Sequence, residues 1–309
     1  MGTSQNEVFK PQISLSVNGK SFYWASHFLS AQMGYNAARL YAFCRVLDDM
    51  ADGDITDGPM RLTRIRASLQ SGQPSDDPAL GDFQPFISEM GFAKTVLLAL
   101  LDGLLQDQED KVCLSTEADL LRYSYRVAGT VGLLMCGVLN SEDPDARVFA
   151  IDLGIGMQLT NIARDVLEDA RMGRRYIPAE WVGDLSPSAI CLASKDPNGK
   201  NAILIKASLA HLLELADRFY QSGAIGYSYL PWRAHVGIAI AARVYRQIGM
   251  QLKANGYAWH KARQVTSKRT KLKYSLIALG SLSSRLPMLN NKKHDRSLHT
   301  CLQGLPFVK

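Results

Sequence analysis

Four polar side chains in GMQLTNIARDVLEDARMGRRYIP (156–178) recur at helical spacing: Gln158, Asn161, Asp165 and Asp169. Offsets of three and four residues put them on one face of a helix with apolar flanks. A solvated helix face usually mixes both charge signs, whereas this stripe holds only acids and amides. A second stripe lies in YAFCRVLDDMAD (41–52), where Asp48 and Asp52 are one turn apart and Tyr41 and Arg45 precede them near the same face. A lone D-x-x-x-D is common on solvated surfaces; two copies, each embedded in an apolar helix, are not explained that way. Like charges at i,i+4 cost an isolated helix roughly 0.2–0.5 kcal/mol, and burying them uncompensated costs more. Carboxylates and amide oxygens on facing helices suit hard divalent cations, and Mg²⁺ usually completes its shell through substrate phosphates. The expected site is a bundle cavity, acidic at its mouth, holding Mg²⁺ and through it a diphosphate. Arg45, Arg164, Arg171, Arg174 and Arg175 offer direct positive charge to the same anion.

A metal-bound diphosphate at the mouth of an apolar cavity has a simple use: diphosphate as leaving group, hydrocarbon as the rest of the substrate. The metal stabilises the departing charge, while the cavity keeps water from the carbocation and aromatic faces stabilise it. Phe22, Tyr41, Tyr125 and Tyr245 are the aromatic candidates, with core packing as the competing role of each.

The elements that must position these residues read as helix after helix. The segments 34–52, 92–108, 117–139, 145–169, 200–223 and 233–256 are long and rich in helix formers. Pro- and Gly-rich breaks separate them at 72–85, 140–145 and 194–200. Alternating β-type runs are scarce, and no break is long enough for an interdomain linker. The pattern predicts one all-α domain over 1–285 and a loose basic tail over 286–309. The segment 258–285 is amphipathic, with Lys268, Arg269, Lys271 and Lys273 leading into YSLIALGSL. It serves either as a cap on the core or as a peripheral membrane helix.

The 309 residues are 47% hydrophobic, enough for a large core. No run of about 20 apolar residues suggests a membrane span. The N-terminus MGTSQNEVFKPQ lacks a signal or transit pattern, and Asn6 argues against myristoylation. Five scattered cysteines without a C-x-x-C, and six histidines without ligand spacing, predict reduced thiols and no zinc motif. The expectation is a cytoplasmic protein, with peripheral attachment at the inner membrane face as its second possibility. Charge is uneven. From Arg243 onward 14 Lys and Arg face one acid, Asp295, a net of +13; the preceding residues carry 21 basic and 28 acidic side chains. A basic end suits an anionic partner such as phosphate, nucleic acid or a membrane surface, or is a solvated tail.

Taken in order, the motifs resemble the squalene/phytoene synthase family over nearly the whole chain. GKSFYWASHFL (19–29) resembles that family's S-F-Y-x-A segment, and YAFCRVLDDMAD its first aspartate-rich motif. YSYRVAGTVG (123–132) resembles the Y-x-x-x-VAG-x-VG helix, and QLTNIARDVLEDARMGRRYIP the second aspartate motif with its R-x-Y-x-P. AARVYRQIG (241–249), followed by a basic helix, is more similar to bacterial phytoene synthases than to squalene synthases. The resemblance implies an isoprenoid-synthase helical bundle around a central cavity. It implies that Asp48, Asp52, Asn161, Asp165 and Asp169 hold Mg²⁺ or Mn²⁺. Ser21, Arg45, Gln158 and Arg164 would contact diphosphate, with Tyr245 nearby and Arg263 a further contact. Phe22, Tyr41, Val127, Ala128, Val131 and Gly132 would line prenyl channels. The glycines of AGTVGLLMCG also make sense independently: each costs a helix up to about 1 kcal/mol against Ala, which suggests close approach by substrate or by a neighbouring helix.

The implied chemistry is head-to-head condensation of two identical prenyl diphosphates. The first ionises, the double bond of the second captures its C1, and a cyclopropylcarbinyl diphosphate forms with loss of diphosphate and a proton. The second diphosphate then leaves, the cation rearranges, and proton loss gives the central double bond. Squalene synthases instead reduce the last cation with NADPH and generally carry a C-terminal anchor. Here the only Gly-x-Gly, Gly154–Gly156, falls inside a helix, a poor dinucleotide signal. These features favour phytoene, without NADPH, from two geranylgeranyl diphosphates. Ser26, four beyond Phe22, projects along the same helix face; a small residue there leaves room for a C20 tail. The alternatives are a C15-specific dehydrosqualene or squalene-type synthase and a class I terpene cyclase or chain-elongating enzyme. DDMAD does satisfy D-D-x-x-D, but Q-x-x-N-x-x-x-D and VAG-x-VG do not belong to those enzymes. A basic helical nucleic-acid binder leaves both acidic stripes unexplained, since they repel a phosphate backbone.

Overall fold

Caps set the helix boundaries as much as propensity does. The computed structural model describes residues 11–109, 112–141, 143–261, 267–285 and 293–308. The N-terminal half contains α1 (Pro11–Asn18), α2 (Lys20–Ser26), α3 (Ala31–Ala51), α4 (Gly58–Ser71), α5 (Pro78–Met90) and α6 (Lys94–Gln106). Next come α7 (Glu117–Ser124), a π-helical turn at Tyr125–Gly129, α8 (Thr130–Val138) and α9 (Ala146–Arg171). The remainder holds α10 (Ala179–Val182), α11 (Pro187–Ala193), α12 (Lys200–Ile225), α13 (Trp232–Ala254) and α14 (Lys268–Gly280). Ser30 caps α3 by accepting from the Met33 N–H, and Thr116 with Asp119 forms a capping box at α7. The all-α reading holds, and the six long helical segments correspond to α3, α6, the α7–α8 run, α9, α12 and α13.

Three expectations change. The break at 72–85 contains the start of α5: Asp77 caps it through the Ala79 N–H, Pro78 occupies the first turn, and Arg61 grips the Asp77 carboxylate at 2.8 and 2.9 Å. Strands do occur, as a two-residue parallel pair of β1 (Val112–Cys113) and β2 (Arg174–Arg175), with Val112 opposite Arg174. The described part of the basic tail expected to be loose over 286–309 is not loose. Residues 293–308 pack on the bundle with Leu298, His299 and Leu302 buried, and Arg122 donates to the Cys301 and Gln303 carbonyls at 2.9 and 3.2 Å. Arg263 lies outside the described residues.

The main core joins α3, α5, α6, α9 and α12, with Phe43 stacked on Phe83 at 3.6 Å between ring centroids. α9 runs through its middle. Glycines let its neighbours approach: a Cβ at Gly154 would lie 2.3 Å from the Ala128 carbonyl oxygen, and one at Gly132 would lie 2.2 Å from that of Ala150. The close approach predicted for the VAG-x-VG glycines is therefore, at Gly132, by a helix; Gly154 answers it from α9. No helix among the described residues is long and apolar enough to cross a membrane.

Candidate active site

Three helices direct their C-terminal ends at one cavity of about 260 Å³, and each ends in acid. Asp52 is the C-cap of α3, Asp107 the C-cap of α6, and Asp169 sits in the last turn of α9. Asp48 and Asp165 stand one turn further in and line the same space. A helix C-terminus carries about half a negative charge, so it repels carboxylates by roughly 0.3–1 kcal/mol each. Five acids gathered at three such ends make a strongly negative pocket. It calls for cations.

Burial sharpens this. Asp48 is pushed up to about 7, mainly by desolvation; Arg45 pulls it down, and Asp52 and Asp107 push it further up. Asp107 rises to about 6 through burial, against the two tyrosine hydroxyls it accepts. Asp169 is raised well above the carboxylate range by burial and then by Asp165. Asn161 Oδ1 is buried without a hydrogen-bond partner, while its Nδ2 donates to Gln158 Oε1 at 3.4 Å. An orphaned carbonyl oxygen among carboxylates is an all-oxygen donor set, which fits a hard divalent cation. The carboxylates line the cavity wall without three converging tightly, as suits an ion that also takes water and phosphate oxygens.

Two arginines of the wall are held ready. Arg164 Nε donates to Asp165 at 2.8 Å, and Arg174 Nη1 donates to Asp52 at 2.6 Å. The β1–β2 pair explains the second, because it fixes the backbone at Arg174 beside the end of α3. It also presents Tyr176, whose hydroxyl donates to Asp107 at 2.6 Å; Tyr123 donates to the other oxygen at 2.8 Å, and the two rings stack at 4.7 Å.

The structure thus brings together Asp48, Asp52, Gln158, Asn161, Arg164, Asp165, Asp169 and Val127. Phe22, Tyr41 and Tyr245 form an adjoining aromatic group, with centroids 6.3 and 4.9 Å from Phe22. The Tyr41 hydroxyl is pushed up to about 12 by burial and by Tyr245, and it feels Asp48. Ala128, Val131 and Gly132 follow Val127 around the π-helical turn and are half-buried; Ser21 is half-buried on α2. These and Ser26, which ends α2 and donates to the Tyr23 carbonyl, lie off the acidic cavity itself. Arg45 pairs with Asp49 rather than facing the cavity. Arg171 is exposed, and Arg175 is buried on the carbonyls of Leu114 and Ile177 and on Asp184. Tyr125 is a packing residue: its hydroxyl donates to the Pro306 carbonyl. Asp107, Tyr123 and Tyr176 are the additions. Their traces in the sequence are an acid ending an apolar helix and two tyrosines inside recognised motifs.

The raised acids set a pH dependence. Their unfolded pKa values lie near 3.8, so protonated Asp48 stabilises the metal-free fold fully below that pH, and the contribution is lost as pH rises through about 7. The metal-free protein is expected to lose melting temperature between about pH 5 and pH 8. Mg²⁺ held by these acids would compete with those protons, so its stabilisation is expected to grow over the same interval. Thermal melts with and without Mg²⁺ check this; equal Mg²⁺ shifts at both pH values would contradict it.

Comparison with known proteins gives a consistent picture. The squalene/phytoene synthase family model matches residues 15–272. A phytoene synthase of Rhodobacter capsulatus is 35% identical over 271 residues, covering 85% of this chain and 78% of that protein. A 15-cis-phytoene synthase of Enterobacter agglomerans is 36% identical, covering 88% of this chain and 95% of its own length. Among solved structures, a dehydrosqualene synthase superposes with a TM-score of 0.78 at 27% identity, over 91% of this chain and 98% of that one.

Proposed function

This chain belongs to the squalene/phytoene synthase family, and from that premise we propose that it condenses two geranylgeranyl diphosphates head to head to 15-cis-phytoene at the start of carotenoid synthesis. The observation that carries the reading is the convergence of the acidic C-terminal ends of α3, α6 and α9 on one cavity flanked by aromatic rings. Bacterial phytoene synthases similar along most of their length support the C20 substrate.

Asp48, Asp52, Asn161, Asp165 and Asp169 would hold Mg²⁺ or Mn²⁺, which stabilises charge on a departing diphosphate. Arg164 and Arg174 stand in the same wall to donate to phosphate oxygens, and Gln158 adds an amide. Tyr123 and Tyr176 hold Asp107 in place by hydrogen bonds to both its oxygens. Phe22, Tyr41 and Tyr245 exclude water beside the acids and present ring faces to a prenyl cation. Val127, at the turn between α7 and α8, gives the cavity its apolar edge.

The test is extraction of hydrocarbon products from purified protein with Mg²⁺, supplied separately with C15 or C20 diphosphate. A C40 triene from C20 substrate, unchanged by NADPH, is expected. A C30 product from C15 alone would keep the metal chemistry and move the chain to the dehydrosqualene type. No hydrocarbon from either would overturn the reading.

The substrate tails and product partition into lipid, and α14 supports a peripheral site for this exchange on the cytoplasmic membrane face. Its buried residues are only Ser275 and Ala278, whereas Leu272, Leu276, Ile277 and Leu279 are exposed beside Lys268, Arg269, Lys271 and Lys273. Trp24 Nε1 donates to Ser275 Oγ at 3.0 Å, which turns the leucines outward. Each basic residue near an anionic surface adds about 1 kcal/mol. Co-sedimentation with anionic vesicles is expected, falling about tenfold or more in Leu272→Glu/Leu276→Glu, given the cost of charge in the acyl boundary. Equal pelleting of the variant would remove this attachment.

A further inference from the structure

The C-terminal segment brings two histidines to a buried carboxylate far from the acidic cavity. Asp152 precedes Asp165 on α9 by thirteen residues, about 20 Å along the axis and on a different face of the helix. It is fully buried. His299 Nε2 lies 2.7 Å from its Oδ1 and His294 Nε2 2.9 Å from its Oδ2, with the imidazole centroids 4.4 Å apart. Ser222 of α12 donates to Oδ2 and orients the carboxylate. Among the described residues no Lys or Arg pairs with Asp152, and this is the one set of three His, Cys, Asp or Glu ligand atoms lying within 4.8 Å of one another.

We propose that Asp152, His294 and His299 form a second metal site, for a transition ion of the Zn²⁺ class, that staples the C-terminal segment to α9. Two imidazole nitrogens and one carboxylate suit Zn²⁺ rather than Mg²⁺, whereas the acidic cavity offers only oxygen. Zn–N and Zn–O bonds of about 2.0–2.2 Å require the present N···O separations to open by roughly half an ångström. His299 is 1% exposed, so access is from the side of His294, whose side chain is 11% exposed; a water arriving from that side would be the fourth ligand. The spacing between the histidines is fixed locally: Asp295 caps the turn Arg296–Leu302 through the Ser297 N–H at 3.0 Å. A dication also offsets the buried negative charge, which otherwise rests on hydrogen bonds alone or on a protonated imidazole. The sequence concealed this site because its ligands lie 142 and 147 residues apart.

The experiment uses full-length protein, stripped with a chelator and returned to buffer with millimolar Mg²⁺ to occupy the oxygen site. Co²⁺ is then titrated while visible absorption is recorded. One Co²⁺ per chain with a band of tetrahedral intensity is expected, displaced by stoichiometric Zn²⁺. The band is lost in His294→Gln and His299→Ala and retained in Asp165→Asn. Should His299→Ala fail to fold, His294→Gln at the more accessible ligand carries the same expectation. Absence of the band from the wild type, with no Zn²⁺ retained, would overturn the proposal and leave a hydrogen-bonded clasp. Survival of the band in both histidine variants, or its loss in Asp165→Asn, would do so too, by placing the ion elsewhere.

Discussion

Asp165→Asn is expected to lose about a thousandfold in kcat, a loss of the size produced by removing one preorganised electrostatic stabiliser of a transition state. The exchange keeps shape and removes one charge from the wall that also carries Asp48, Asp52 and Asp169. The fold is expected to survive. Asp165 raises the pKa of Asp169, so its neutralisation relieves repulsion in the metal-free protein and offsets the lost pairing with Arg164. Initial rates over a range of Mg²⁺, alongside thermal melts, separate the two effects. Activity within tenfold of wild type at saturating Mg²⁺ would end the assignment of Asp165 as a metal ligand.

A second large effect is expected from a single methyl group. At Gly154 a Cβ would meet the Ala128 carbonyl oxygen at 2.3 Å and the Gly129 Cα at 3.0 Å, both of them backbone atoms that no rotamer change can move. Gly154→Ala therefore forces α9 away from the π-helical turn, an overpacking cost of about 1–3 kcal/mol or more. Better helix propensity returns up to about 1 kcal/mol. Net destabilisation is expected, together with lower activity, since Val127 lies in that turn and lines the cavity. Gly81→Ala is the control: Gly81 is an exposed interior position of α5 with nothing within 4 Å of an added Cβ, so it is expected to gain stability. Denaturant melts of the pair decide the point. Equal gains in both variants would mean that the close approach is not rigid.

How legible these features were depended on the range over which they act. Asp48/Asp52 and Asp165/Asp169 repeat at four residues, so helical geometry alone put each pair on one face, and two such pairs suggested a shared ion. Asp107 is a single acid beyond an apolar helix; only the packing of α6 beside Tyr123 and Tyr176 distinguishes it from a solvated end. Arg174 stood among several arginines until the pairing of Val112 with Arg174 fixed its direction. The α5 helix hid behind Pro78, Gly81 and Pro85, residues that signal a break unless the first falls in a capped first turn. The C-terminal segment looked solvated because Leu298, His299 and Leu302 are spaced among polar residues, and their burial is settled by distant surfaces on α7 and α9.

That last arrangement governs when the protein can mature. Pro306 receives the hydroxyl of Tyr125, and Cys301 the guanidinium of Arg122, across 181 and 179 residues. A nascent chain can assemble α3, α6 and α9 and gather the acids while residues 293–308 are still within the ribosome. The outer support of the turn carrying Val127 arrives only once those residues have emerged, and contacts of such long separation form late. Synthesis therefore leaves a window in which the acidic wall exists without its backing, which closes only when residues 293–308 have joined the bundle.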